Sequence, residues 1–251
     1  MGVWDFLGQD TDEYTHGFHL YPAKLNPHIA RRLIRQYGQG AEHLLDPFCG
    51  SGTTLVEARL AGLSAIGYDV NPVARHMSLV KSQNYNIPRL RSFVKRLASS
   101  LDSMELTHWQ TAVKESGFTM KQIKTWYPNE SIREIASTLK LIDTVDADFG
   151  SNSKNRLFAR MALSDCLREV SIQRMHEWKN YRIKHWRVTD MDDLYQELTP
   201  LFKHKLNSNL AGANAYIDKL KDDFVYQSTT TKLDGVNCVN TSELTLIPDE
   251  G

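Results

Sequence analysis

Paired cysteines are missing from this 251-residue sequence. Cys49, Cys166 and Cys238 form no CxxC and leave an odd count, which argues against a disulfide framework or a zinc knuckle and for reduced thiols. Net charge is missing too: 30 Lys and Arg cancel 30 Asp and Glu. The chain therefore has no global field to gather anionic ligands, and any nucleic-acid contact has to be a local patch. No apolar run approaches the roughly 20 residues of a bilayer span, and Met1-Gly2-Val3-Trp4-Asp5-Phe6 does not open like an export signal. A soluble, cytoplasmic protein without a membrane partner is expected. His16, His19 and His28 lack a carboxylate or cysteine to complete a ligand set, so no metal is expected either. There is no internal repeat and no low-complexity tract. At this length, 41% hydrophobic and 24% charged residues are ordinary for a globular chain able to bury a core.

The first eighty residues alternate between element types. Asn26-Pro27 is a helix start, with a capping side chain before Pro at the first helical position, and Gly38 and Gly40 stop the helix. His43-Leu44-Leu45-Asp46 reads as a strand, Thr53 to Leu60 as a helix ended by Gly62, and Ser64 to Asp69 as a second strand. A helix from Val73 to Lys81 follows Asn71-Pro72. Strand, Gly-rich turn, helix, strand is a βαβ unit, whose two strands run parallel. From Pro88 to Tyr226 the pattern is helical: a capping box at Ser131-Ile132-Arg133-Glu134, an apolar period through Leu157, Met161, Leu167 and Val170, and a long helix from Thr199-Pro200. Strand character returns at Gly235 to Val239 and Leu244 to Ile247. The fold class expected is α/β with an incomplete sheet: residues 1–87 as the ligand-binding core, 88–226 as a helical insertion, and 227–251 as the return to the core.

The loop Asp46-Pro47-Phe48-Cys49-Gly50-Ser51-Gly52-Thr53-Thr54 joins a strand to a helix. There the glycines let backbone approach a ligand and the helix N-terminus offers unpaired N–H groups. It lacks the Gly-Lys-Ser/Thr ending of a phosphate loop and the third glycine of the dinucleotide fingerprint. Asp46 in front of the glycines would repel a pyrophosphate and attract a cationic amine. Asp69, 23 residues on at the end of the second strand, stands where a carboxylate accepts ribose hydroxyls. An acidic pair around a Gly loop suits S-adenosylmethionine. Cys49 reads as a plain loop thiol rather than a nucleophile.

These residues resemble a known family. Leu45-Asp46-Pro47-Phe48-Cys49-Gly50-Ser51-Gly52-Thr53-Thr54-Leu55-Val56-Glu57-Ala58 is similar to motif I of the amino-group (cytosine-N4/adenine-N6) DNA methyltransferases, and Gly67-Tyr68-Asp69-Val70-Asn71-Pro72 resembles their motif II. His16-Gly17-Phe18-His19-Leu20-Tyr21-Pro22-Ala23-Lys24 is similar to motif X of one branch, which closes over the methionine end of the cofactor. The clear resemblance covers roughly residues 16 to 82. It implies a Rossmann-like methyltransferase core that binds S-adenosylmethionine through Tyr21, Pro22, Ala23, Lys24, Asp46, Phe48, Gly50, Ser51, Gly52, Thr53, Thr54, Asp69 and Asn71. Lys24 or nearby backbone N–H groups would neutralise the methionine carboxylate.

The family's catalytic motif IV, Ser/Asn/Asp-Pro-Pro-Tyr/Phe, does not occur, since none of the eight prolines is adjacent to another. The family places that motif a few residues beyond Gly251. The expectation is therefore a truncated chain or one half of a split enzyme, with no catalytic residue among these 251 and a second polypeptide as a possible partner. The branch usually carries serine first in motif IV, which leans to cytosine N4. Two alternatives stand beside it: an RNA guanine-N2 methyltransferase, which shares the Asp46 loop, and a non-catalytic remnant or binding subunit.

Residues 168–187 hold six Lys and Arg against two acids, with Trp178, Tyr181 and Trp186 interleaved. Pro88 to Tyr226 carries 22 Lys and Arg and 18 Asp and Glu, leaving the remainder acidic. This suits either a solvated helical face or a surface for double-stranded DNA. On the second reading Arg168, Arg174, Lys179, Tyr181 and Arg182 make the contacts.

Overall fold

The computed structural model describes residues 4–106, 123–124, 126–151, 153–172, 195–222 and 237–239. Their elements are α1 (Pro27–Tyr37), β1 (His43–Asp46), α2 (Thr53–Leu60), β2 (Ser64–Tyr68), α3 (Pro72–Ser82), α4 (Ile87–Leu101), α5 (Asn129–Asp148), α6 (Ser153–Cys166), α7 (Leu198–Asp222) and β3 (Asn237–Val239). The chain divides into two compact units, 1–87 with 209–251, and 88–208.

The first unit is mixed α/β. Helix α1 begins as its sequence predicts: the Asn26 side chain accepts from the His28 N–H, Pro27 fills the first position, and the Gly38 N–H closes the last turn on the Ile34 carbonyl. β1 and β2 pair in parallel, Leu44 with Ala65 and Leu45 with Ile66. β3 pairs in parallel with β2, giving the order β1-β2-β3. Because successive strand residues face opposite ways, Leu44 and Ala65 turn to one side. There they pack with Ile34, Cys49, Leu55, Ala58 and Leu63, each large side chain contributing roughly 1.5–3 kcal/mol by burial. On the other side Leu45 and Ile66 remain 54% and 37% exposed among the described residues.

The strap of residues 14–24 is held by the C-terminal part of α7. Gly212 lies so close to it that a β-carbon would run into the Tyr14 carbonyl oxygen, and the Asn209 side chain donates to the Phe18 carbonyl at 3.4 Å.

The second unit is helical, with a core of Leu90, Phe93 and Leu97 from α4, Ile142 and Val145 from α5, Phe158 and Met161 from α6, and Leu198 and Phe202 from α7. Its details correct two expectations. The capping box at Ser131 does not form: α5 starts two residues earlier, after Pro128, and Ser131 is buried inside its first turn. Glu134 instead accepts from the Leu198 N–H at 2.9 Å and so caps the start of α7, a tertiary partner outcompeting the local one. The apolar period beyond Cys166 also leaves the helix, Leu167 and Val170 lying in turns.

Among the described residues no helix is long and apolar enough to cross a membrane, and no group of three metal-ligating side chains occurs.

Candidate functional site

The loop between β1 and α2 is bonded to the end of β2 at two points and to α3 at a third. The Cys49 N–H donates to the Tyr68 carbonyl at 2.9 Å, the Gly50 N–H to Asp69 Oδ2 at 2.9 Å, and the Ser78 hydroxyl to the Gly50 carbonyl at 2.7 Å. Asp69 Oδ1 accepts from the Asn71 N–H at 2.8 Å, so each carboxylate oxygen takes one backbone donor and keeps lone-pair capacity for a ligand. Asp46 Oδ1 accepts from the Phe48 N–H at 3.1 Å, fixing the turn in which the Phe48 ring stands 82% exposed. Asn71 caps α3 through the Val73 N–H at 3.0 Å.

Two glycines give the loop its course. Gly50 and Gly52 have φ of 51° and 84°, the left-handed region that only glycine enters without strain. At Gly52 a β-carbon would also stand 2.7 Å from Ser78 Cα. Gly52 is the N-cap of α2 and supplies no side-chain bond, so the first N–H groups of that helix, at Thr53 and Thr54, remain as donors. Ser51 and Thr53 are buried beneath the loop. Cys49 is a buried core residue 3.6 Å from the Ser78 hydroxyl.

The strap reaches this loop. The Tyr21 ring stands 3.5 Å from the position a β-carbon on Gly50 would take, so that tertiary contact is present. Pro22 is exposed, and Ala23 adopts φ 56°, an unusual left-handed conformation for a residue with a β-carbon. Lys24 requires a correction. Its ammonium bonds to the Thr11 carbonyl, to Asp12 Oδ1 at 2.6 Å and to the His16 carbonyl, so it fastens the strap to the residues just before it. Only backbone N–H groups are left to meet a carboxylate there.

The sequence reading missed what anchors the strap. His16 and Glu57 are 0% and 1% exposed, and their Nε2 and Oε1 lie 2.9 Å apart. Arg31 grips the same carboxylate with Nε at 2.8 Å and Nη2 at 3.0 Å, and reaches Glu13 at 3.1 Å. Burial lowers the His16 pKa in spite of Glu57, so its neutral ring donates through Nε2. Burial works against a charged Glu57, but the hydrogen bonds from His16 and Arg31 outweigh it and hold its carboxyl below the ordinary range. The available signal was an acid and a base, Glu57 and Arg59, inside an eight-residue helix otherwise built of Thr, Leu, Val and Ala. Buried charges need partners.

Of the basic segment, Arg168 lies half-buried in the turns after α6. Arg174, Lys179, Tyr181 and Arg182 lie outside the described residues.

A family profile described as DNA methylase matches residues 2–79. Type II methyltransferase M.MvaI of Kocuria varians is 32% identical over 182 residues, covering 71% of this chain and 39% of the relative. Type II methyltransferase M.MjaII of Methanocaldococcus jannaschii is 25% identical over 224 residues, 88% of this chain and 38% of the relative. A tRNA (guanine(10)-N2)-dimethyltransferase of Methanothermobacter thermautotrophicus is 38% identical over 53 residues, 21% of this chain and 16% of the relative. The chain thus spans about two fifths of the length of the two type II relatives. No solved structure gives a significant match. With the Asp46-to-Thr54 loop, Asp69 and the strap all inside or beside the matched segment, the chain belongs to the amino-group DNA methyltransferase family.

Proposed function

We propose that this chain is the cofactor-binding portion of a DNA methyltransferase acting on an exocyclic amine, with cytosine N4 favoured over adenine N6. The core is Rossmann-like, residues 88–226 are an insertion into it, and the cofactor is S-adenosylmethionine. The observation that carries this is the Asp69 carboxylate, tied to both the Gly50 and Asn71 N–H groups beside the uncapped N-terminus of α2. The polar groups present fit the cofactor: Asp69 would accept from the ribose hydroxyls, Asp46 from the amine, and the Thr53 and Thr54 N–H groups would donate to the carboxylate, with Tyr21 against Gly50. Gly50, Ser51 and Gly52 shape the cradle, Phe48 offers an exposed ring, and Pro22, Ala23, Lys24 and Asn71 hold its edges.

When bound, S-adenosylmethionine supplies an already activated methyl group, so the protein's part is alignment. The 251 residues contain no Pro-Pro-aromatic element to grip a flipped base. By themselves they bind cofactor and transfer no methyl group to duplex DNA.

Titration calorimetry tests the site. Asp69→Ala weakens S-adenosylmethionine about ten- to a hundredfold, the effect of losing a charge-assisted hydrogen bond. Unchanged affinity in both Asp46→Ala and Asp69→Ala would sink the assignment. The tRNA-modifying relative favours a second reading, guanine N2 in RNA. Tritiated-methyl incorporation into tRNA but not DNA, once a polypeptide bearing motif IV is supplied, would select it.

A further inference from the structure

Helix α4 contains Arg89, Arg91, Lys95 and Arg96 and no acid. Leu90, Phe93, Val94, Leu97 and Leu101 are its buried face. Arg91, Ser92, Lys95, Arg96 and Ser99 lie exposed on the opposite one, as the helical period requires. Apart from Pro88 in its first turn, no exposed residue of the helix is apolar.

The bases of the second unit differ in what neutralises them. Arg133 bonds to Glu130, Arg160 to Asp143, Lys203 to Asp102 and Lys205 to Asp165. Arg89 donates to the Phe149 carbonyl. Arg91, Lys95 and Arg96 make no hydrogen bond or ion pair among the described residues. Arg91 and Lys95 also stand four residues apart, where like charges weaken a helix. An anion brought by a partner relieves that repulsion.

We propose that the exposed face of α4 takes the phosphodiester backbone of duplex DNA, with Arg91, Lys95 and Arg96 each facing a phosphate. The inference rests on the DNA methyltransferase reading above and adds to it a surface on a different segment from residues 168–187. A protein partner wants an apolar centre to the contact, and an anionic bilayer wants apolar side chains to insert. This face offers neither. Guanidinium and ammonium groups along one exposed helix need only phosphate oxygens, and such contacts position a protein on DNA without reading sequence.

The full chain, titrated into a fluorescent duplex by anisotropy over a range of KCl concentrations, tests this. Each phosphate contact contributes about 0.9 to the slope of log affinity against log salt. Lys95→Gln should therefore lower the slope by about one and the Arg91→Gln/Lys95→Gln/Arg96→Gln triple variant by about three, with S-adenosylmethionine affinity unchanged. Glutamine is a good helix former, so α4 itself should persist. Arg133→Gln removes the same charge from a base already paired with Glu130 and should leave the slope as it is. A slope lost equally in Arg133→Gln and Lys95→Gln would assign the effect to total charge and overturn the α4 surface. A triple variant with the wild-type slope would overturn it while leaving the DNA reading intact. A wild-type chain that binds cofactor but no duplex at low salt would overturn it as well. If the triple variant loses slope on tRNA but not on duplex DNA, the surface belongs to RNA, and the proposal fails together with the DNA reading.

Discussion

In the first unit a carboxylate that is 1% exposed, Glu57, is shared by a buried histidine and a fork from Arg31. In the second unit Arg160–Asp143 and Arg133–Glu130 join side chains that are 36–46% exposed, and the interior is mostly apolar, with Glu134 and Asp146 buried in it. The two regions are held together by different physics. Where an irregular strap has to lie beside a Gly-rich loop, the strap has few apolar side chains to bury, and a directional ionic network fixes it. Where helices pack on helices, apolar surface suffices and the ion pairs add little.

Breaking the two networks exposes the contrast. Glu57→Ala leaves the buried His16 without its acceptor and the half-buried Arg31 with Glu13 alone, and should cost about 3–5 kcal/mol, the usual loss when one partner of a buried pair is removed. Chemical denaturation checks this. Because Glu57 binds the strap through His16 and the loop through its own helix, any folded fraction should also show weaker cofactor binding. A loss below about 1 kcal/mol would mean that the strap is held mainly by α7.

A smaller effect sharpens the comparison through pH. His16 has a folded pKa below its ordinary 6.5 and Glu57 one below its ordinary 4.5. For both, the unfolded chain binds more protons, so stability is full above the ordinary value and falls as pH drops through it. The melting temperature should decline from pH 7.5 toward 5 as His16 comes under protonation pressure, and further below 4.5 as Glu57 does. His16→Gln keeps a donor for Glu57 and should flatten the decline between pH 7.5 and 5.5. The same slope in wild type and variant would assign the titration elsewhere.

The smallest effect is expected at Arg160→Ala, about 0.2–1 kcal/mol and diminishing with salt, as for exposed pairs generally. A loss as large as that of Glu57→Ala would erase the distinction between the units.

Much of the first unit was legible because its signals are local. Asn26-Pro27 starts α1, Gly38 ends it, and the strands at His43 and Ser64 are bounded by turn residues whose backbone demands are intrinsic. The Gly50 loop was legible for the same reason, since left-handed residues before a helix announce a cradle. Ser131 shows the limit of local rules. Its capping pattern is correct as a sequence, yet Glu134 finds the Leu198 N–H 64 residues away and the helix begins elsewhere. Lys24 shows it again: its charge suggested a ligand contact, and oxygens of Thr11, Asp12 and His16 take it instead.

The sequence by itself determined the order of elements, the Gly-rich loop with its two flanking carboxylates, and the family, because turns, caps and apolar periods act over a few residues. Tertiary structure alone decided that Tyr21 lies on Gly50, that Glu57 joins His16 to Arg31, and that the arginines of α1 line a groove with Phe6. Those pairings depend on burial, which sets the dielectric, the partners and the protonation of each group, and burial is a property of the folded chain.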